Sequence, residues 1–194
     1  MLASDDASIA IYESLPPDDV IELAGDAYLA GFGGPPYFET MEDRAAFVER
    51  VRRYATRVGF RLALAIIDDA PAGVGLAVIG RPGDWWRDQV VSRIEPAEAA
   101  RWFGDGVLEL VHLAVRPEDR GRGLGAALHD TLLANASVPT AALSADPAPT
   151  PARHLYEKRG WVVLRDSMSI GVGPPVALLV RDLPALRNEA APRT

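Results

Sequence analysis

The amino-acid sequence predicts a mixed α/β fold, and three observations carry the prediction. First, the apolar run Val107 to Val115 is followed by a polar stretch, three glycines at alternate positions and a helical pattern, which reads as strand, glycine-rich loop, helix. Second, the periodicity upstream reads strand, helix, helix, strand, strand. Downstream, a short apolar stretch after the helix forms a strand parallel to the central one, because a helical crossover joins them. Third, apolar residues make up 48% and charged residues 24% of the chain, as in an ordinary globular domain.

Each element has a local reason. Ser8 to Glu13 alternates weakly and reads as a first strand. After Pro16-Pro17-Asp18, the residues Val20, Leu23, Ala24, Ala27 and Tyr28 mark one helical face, which the Gly- and Pro-rich stretch Gly31 to Tyr37 is expected to break. Thr40 and Asp43 approximate a capping box, Phe47, Val48, Val51 and Tyr54 form the next helical face, and Gly59 stops it. Phe60 to Ile67 is an apolar strand, residues 68–73 a turn, and Val74 to Ile79 the returning strand.

Residues 80–106 fit this alternation less well and read as an insertion with a short helix opening near Glu95-Pro96. Three of the four tryptophans, Trp85, Trp86 and Trp102, lie in it. Beyond the central strand, loop and helix, residues 140–144 form the fifth strand. Thr150 and Pro151 cap and open a helix that Gly160 ends. Residues 161–165 and 176–180 are a closing pair of strands, and a frayed tail runs from about Leu186 to Thr194.

Several function classes are disfavoured. The 194 residues suit one domain with a substantial core. No apolar run approaches membrane-spanning length, and Met1 to Asp6 is acidic and unlike a signal peptide. The absence of cysteine excludes disulfides, thiolate ligands and a cysteine nucleophile, and fits a cytoplasmic location. The net charge of −7 argues against a general nucleic-acid surface and favours cationic substrates, although acidity also serves solubility. His112, His129 and His154 show no metal-ligand spacing, so no metal is expected. The sequence leaves a homodimer open.

The glycine loop has a physical use. The first N–H groups of a helix lack intrahelical partners, the helix dipole makes that end positive, and glycines let a phosphate approach the backbone. Arg120 and Arg122 add charge, so the stretch Arg120, Gly121, Arg122, Gly123, Leu124, Gly125 and Ala126 suits a pyrophosphate. Two patterns fit it. Gly121-x-Gly123-x-x-Ala126 matches a dinucleotide fingerprint, with Asp146 about where a ribose-binding acid belongs, but four polar residues separate it from its strand.

The other pattern is Arg120-x-x-Gly123-x-Gly125 after Leu113-x-Val115-x-Pro117, followed downstream by Ala152-Arg153-His154-Leu155-Tyr156 and Gly160-Trp161. Together these two segments resemble the GNAT superfamily of acetyltransferases over roughly residues 107–165. The resemblance implies a mixed central sheet of about six to seven strands. Strands 4 and 5 are splayed, and about four helices plus the insertion flank the sheet. It implies acetyl-coenzyme A as co-substrate, its pantetheine arm against the backbone of Leu113, Ala114 and Val115, and its pyrophosphate on Gly121 to Ala126. The N–H of Val115 would polarise the thioester carbonyl.

The resemblance also implies transfer to a primary amine of a small molecule or peptide by direct attack. Glu109 stands where the family often carries a general base. A charge within an apolar strand needs a pocket or a partner, and pairing with an arginine is the bland reading. His112 is the rival base, but alternation puts it on the opposite face unless a bulge intervenes. Tyr156 matches the tyrosine that serves the leaving thiolate, though its helical face is also a core face. Tyr37, Trp85 and Trp86, with Phe38, Glu39 and Trp102, are candidates to wall the amine site, or simply to pack the insertion. One departure is Pro149, where the family often has asparagine. The runner-up function is a non-catalytic acyl-coenzyme A-binding regulatory module, which needs the loop but neither Glu109 nor Tyr156.

Overall fold

The computed structural model describes residues 7–184. Their elements are β1 (Ala7–Tyr12), α1 (Asp18–Phe32), α2 (Met41–Tyr54), β2 (Arg61–Ile67), β3 (Ala70–Gly80), α3 (Trp85–Val91), α4 (Pro96–Phe103), β4 (Val107–Val115), α5 (Leu124–Leu133), β5 (Thr140–Ala145), α6 (Pro151–Lys158), β6 (Val162–Met168) and β7 (Val176–Asp182). All seven strands share one sheet in the order β1-β2-β3-β4-β5-β7-β6, and β4–β5 is its parallel pair. A sheet so largely antiparallel is not the doubly wound frame that a dinucleotide fingerprint requires. The tail beyond residue 184 and the segment Met1 to Asp6 lie outside the described residues.

The sheet is covered on both faces. Leu124, Leu128 and Leu132 of α5 pack with Ala77, Ile79, Leu108 and Leu110 on one face. On the other, α1 and α2 bury Ile21, Phe47 and Val51 against Leu62, Leu64, Val74 and Leu76. The insertion covers the rest of that face, where Val90 and Phe103 meet Val107, Ala142 and Leu178. Truncating a fully buried leucine such as Leu128 costs about 2–5 kcal/mol.

Local chemistry explains where the elements differ from expectation. The helix read as ending at Gly31 runs on to Phe32, because Gly31 is a packing residue rather than a stop. A Cβ there would lie 2.7 Å from the Ala114 Cβ, so the glycine lets α1 touch β4. The turn expected over 68–73 is only Asp68-Asp69, both left-handed (φ 50° and 59°), and β3 therefore begins at Ala70. Pro71 is tolerated beside a register shift at Ala65/Ile66. The insertion holds two helices rather than one, the second opened by a Glu95–Glu98 capping box. The Thr40–Asp43 capping box of α2 and the Thr150 cap of α6 form as the sequence predicts.

Candidate active site

The site begins with a failure of pairing. β4 and β5 pair only at Leu108–Ala141 and Glu109–Ala142. Beyond that point β4 stays with β3 and β5 with β7, so the two parallel strands part. Arg116 N–H donates to Ala72 C=O at 3.0 Å. By strand alternation Ala114 then turns its backbone to β3, while Leu113 and Val115 present theirs to the gap. A cleft of about 680 Å³ occupies the gap, lined by Leu113, Val115, the glycine loop and α6.

The loop forms one end of this cleft. After a 3-10 turn over Pro117–Asp119, Gly121 and Gly123 take left-handed conformations (φ 77° and 86°), and Gly123 caps α5. A Cβ built on either would meet nothing within 4 Å, so the cradle is open where a phosphate must approach. The N–H groups of Leu124, Gly125 and Ala126 are the first of α5 and have no intrahelical acceptor. The residues therefore fit a pyrophosphate.

The two arginines act less directly than expected. Arg120 donates to Gly31 C=O at 2.8 Å and to Val115 C=O at 3.1 Å, tying the loop to α1 and β4. Arg122 donates to the buried Asp119 at 2.6 Å, as Arg116 does from the other side. Asp119 is thus an internal anchor for the loop.

A second lobe of about 270 Å³ opens beyond the splay. It shares Phe32, Tyr37, Leu113, Thr150, Ala152 and Tyr156 with the first, so these residues mark the junction. Tyr156 is buried, its ring packed edge-on against Trp161 (centroids 5.8 Å apart) and tilted against His129 (6.3 Å). His129 is itself fixed between the Trp161 N–H (2.9 Å) and Asp130 (2.7 Å). Burial, reinforced by Tyr37, pushes the Tyr156 hydroxyl well above its usual range, so it stays protonated.

A bulge resolves the geometry of β4. Leu76 pairs with His112 but Ala77 pairs with Leu110, leaving Val111 as the extra residue. The slip puts His112 on the same face as Glu109, whose partner is Val78. His112 lines the second lobe, but its Nε2 lies 2.6 Å from the Arg50 guanidinium. Arginine can only donate, so Nε2 accepts and is not free to take a proton. Burial and the Arg50 charge push His112 down to about 3, so it is neutral.

Glu109 is 5% exposed, lines neither lobe, and keeps its Oε2 without a hydrogen-bond partner among the described residues. That oxygen would lie 3.7 Å from a Cβ on Gly80. Burial chiefly, and then Asp84, raise its carboxyl to about 7 against the opposing charges of Arg57 and Arg50. The bland expectation of a direct arginine pair is not met among the described residues.

The remaining candidates separate. Tyr37 lines both lobes. Trp85 is exposed and faces Gly171, away from the lining of either lobe. Trp86 is one layer back, its indole N–H donating at 3.0 Å to the hydroxyl of Ser144, which does line the second lobe. Sequence reasoning missed Arg50, which sets the state of His112 across 62 positions of chain. It also missed Tyr28, which read as a core face but lines the lobe beside Glu39. No local pattern announces either contact.

Comparison with known proteins places this geometry. A sequence model described as acetyltransferase (GNAT) domain matches residues 66–163, half of the chain. A GCN5-like protein acetyltransferase of Mycobacterium tuberculosis is 28% identical over 176 residues, covering 78% of this chain and 82% of that protein. Among solved structures, histone acetyltransferase HPA2 and related acetyltransferase from Corynebacterium glutamicum superposes with a TM-score of 0.63 at 20% identity, covering 92% and 97% of the two chains. An acetyltransferase from Thermus thermophilus gives 0.59 at 18% identity over 94% and 100%. An agmatine N-acetyltransferase gives 0.62 at 16% over 92% and 100%. At such identities the structures establish a shared fold, whereas the family model covers the splayed strands and the glycine loop themselves. The chain belongs to the GNAT superfamily of acetyltransferases and is an acyltransferase enzyme.

Proposed function

We propose that the protein transfers the acetyl group of acetyl-coenzyme A to a primary amine of a small molecule or peptide by direct attack. The observation that carries this reading is the junction of the two lobes at Tyr156. A phosphate-binding cleft along a splayed strand pair meets there a second cavity with acidic side chains. The pyrophosphate rests on Gly121 to Ala126, and the pantetheine arm runs along the backbone of Leu113 and the N–H of Val115, whose C=O is held by Arg120, as an added strand would. The Val115 N–H is the donor for the thioester oxygen as negative charge develops there.

The chemistry then follows from the side chains. A carbon–nitrogen bond forms to the acetyl carbon as the carbon–sulfur bond breaks. The ammonium must first lose a proton, and Glu109, raised to about 7, is matched to take it near neutral pH. Because Glu109 lies behind the lobe, on the same face of β4 as His112, the transfer runs through water. Tyr156 holds its proton too tightly to release it to a thiolate. It therefore stabilises the departing sulfur by donating a hydrogen bond, and the sulfur takes its proton from solvent. With no cysteine in the chain, an acyl-cysteine intermediate is excluded.

The test is release of free thiol from acetyl-coenzyme A in the presence of amine panels, followed with the product's mass. Acetylated amine and free coenzyme A in equal amounts support the reading. Tight cofactor binding without turnover on small amines or lysine peptides contradicts it.

A further inference from the structure

The two lobes of the cleft carry opposite charge. In the cofactor lobe Asp119 is neutralised by its two arginines, and the cations Arg120 and Lys158 remain. Among the described residues, the charged side chains lining the acceptor lobe are Glu39 and Asp146, and neither lysine nor arginine lines it. His112 adds no positive charge of its own, because Arg50 holds its Nε2 as an acceptor, and the Arg50 cation, 2.6 Å from that ring, does not itself line the lobe.

The two acids come from different connections of the fold. Glu39 belongs to the α1–α2 connection, beside the Tyr28 hydroxyl, and Asp146 to the β5–α6 connection, where its Oδ1 accepts from Ala148 N–H at 2.8 Å. Both are half-buried, so a charge meeting them meets them inside the lobe rather than at the protein surface. Neither carboxylate is in an ion pair among the described residues, so both are available to a cation that enters the lobe. One such group would match the reacting ammonium, and two match an acceptor with two charges. Tyr28, Phe32 and Tyr37 supply aromatic wall between them for an apolar linker.

We propose that the acceptor is a small dication, a primary amine carrying a second ammonium-like group, held between Glu39 and Asp146. The distal charge on one carboxylate fixes the reach of the chain, and the near nitrogen is left at the junction beside Tyr156. This inference rests on the acetyltransferase reading of the same site.

The experiment compares 1,4-diaminobutane with 1-aminopentane, a monoamine of equal length, as acceptors for the full-length protein with acetyl-coenzyme A. A lysine peptide with neutral flanks forms a third arm. Calorimetric binding of each amine in the presence of coenzyme A gives a readout independent of turnover. The diamine is expected to exceed the monoamine by about tenfold or more in kcat/KM and in affinity, the scale of one desolvated charge pair. E39Q and D146N are each expected to bring that ratio towards one. Equal use of both amines, a preference for the peptide, or a ratio unmoved in both variants overturns the inference while leaving acetyl transfer standing. Selective diamine binding without turnover sustains the inference and overturns the reaction assigned to the site.

Discussion

The two lobes of one cleft are built by different means. The cofactor lobe is made largely of backbone: the edge of Leu113 and the Val115 N–H, two left-handed glycines and the first N–H groups of α5. Its parts lie within a short run of chain. The acceptor lobe is made of side chains, contributed by α1, the α1–α2 connection, β4, the end of β5, the β5–α6 connection, α6 and the start of β7. Backbone recognition tolerates changes of side chain but not of conformation. Side-chain recognition is the reverse, and it is where related enzymes can differ in substrate.

The largest effect expected from this contrast is at Gly123. Gly123→Val forces a branched residue into φ 86° and fills the open cradle, so acetyl-coenzyme A affinity should fall by about 100-fold or more by calorimetry. Tm taken alongside separates lost binding from lost folding. A change of less than about threefold would show that the phosphates rest elsewhere.

Glu109→Gln comes next and acts on turnover rather than on cofactor binding. kcat/KM should drop by roughly 100-fold, with little change in cofactor affinity. The active form of Glu109 is ionised, so the wild-type rate should rise with pH through about 7, and the variant should lose that limb. Stability runs the other way. The folded carboxyl holds its proton up to about 7, above its unfolded value, so its contribution is lost as pH rises through that range. The glutamine carries no charge to bury, and E109Q should melt a few degrees higher than wild type at pH 8.

Tyr156→Phe removes the donor to sulfur and keeps the ring that packs on His129 and Trp161. kcat should fall by about tenfold with Tm nearly unchanged. A loss confined to KM would place the hydroxyl on substrate rather than on the leaving group. The smallest effect is that of Trp86→Phe, which deletes the bond to Ser144 one layer behind the lobe. Acceptor KM should rise by about two- to threefold, the scale of one partly exposed hydrogen bond, with cofactor KM unchanged.

The same contrast decides how much could be read from the sequence. Gly121, Gly123, Leu113 and Val115 are legible because a backbone cradle needs glycines and an apolar strand at fixed spacing, and spacing is what a sequence displays. The capping box at Thr40 and the cap at Thr150 are legible for the same reason. The bulge at Val111 is not, because an extra residue leaves an apolar run looking apolar, yet it moves His112 onto the face of Glu109. Nor is Gly31, which looks like a helix stop until α1 is seen against Ala114. Trp85 and Trp86 drew attention by composition, and neither lines a lobe. Glu39 and Asp146, far apart in sequence, line one lobe only once the sheet has formed.

The central claim is that the splay and the glycine loop together hold the co-substrate through backbone amides. Its most direct measurement is the amide chemical shift and exchange rate of Leu113, Val115 and Gly121 to Ala126, with and without acetyl-coenzyme A. Large shifts and slowed exchange at these amides, with Ala114 little changed because it already bonds to β3, are the predicted result. Unchanged amides in the loop and at Leu113 and Val115 at saturating cofactor, with perturbation elsewhere, would contradict the account.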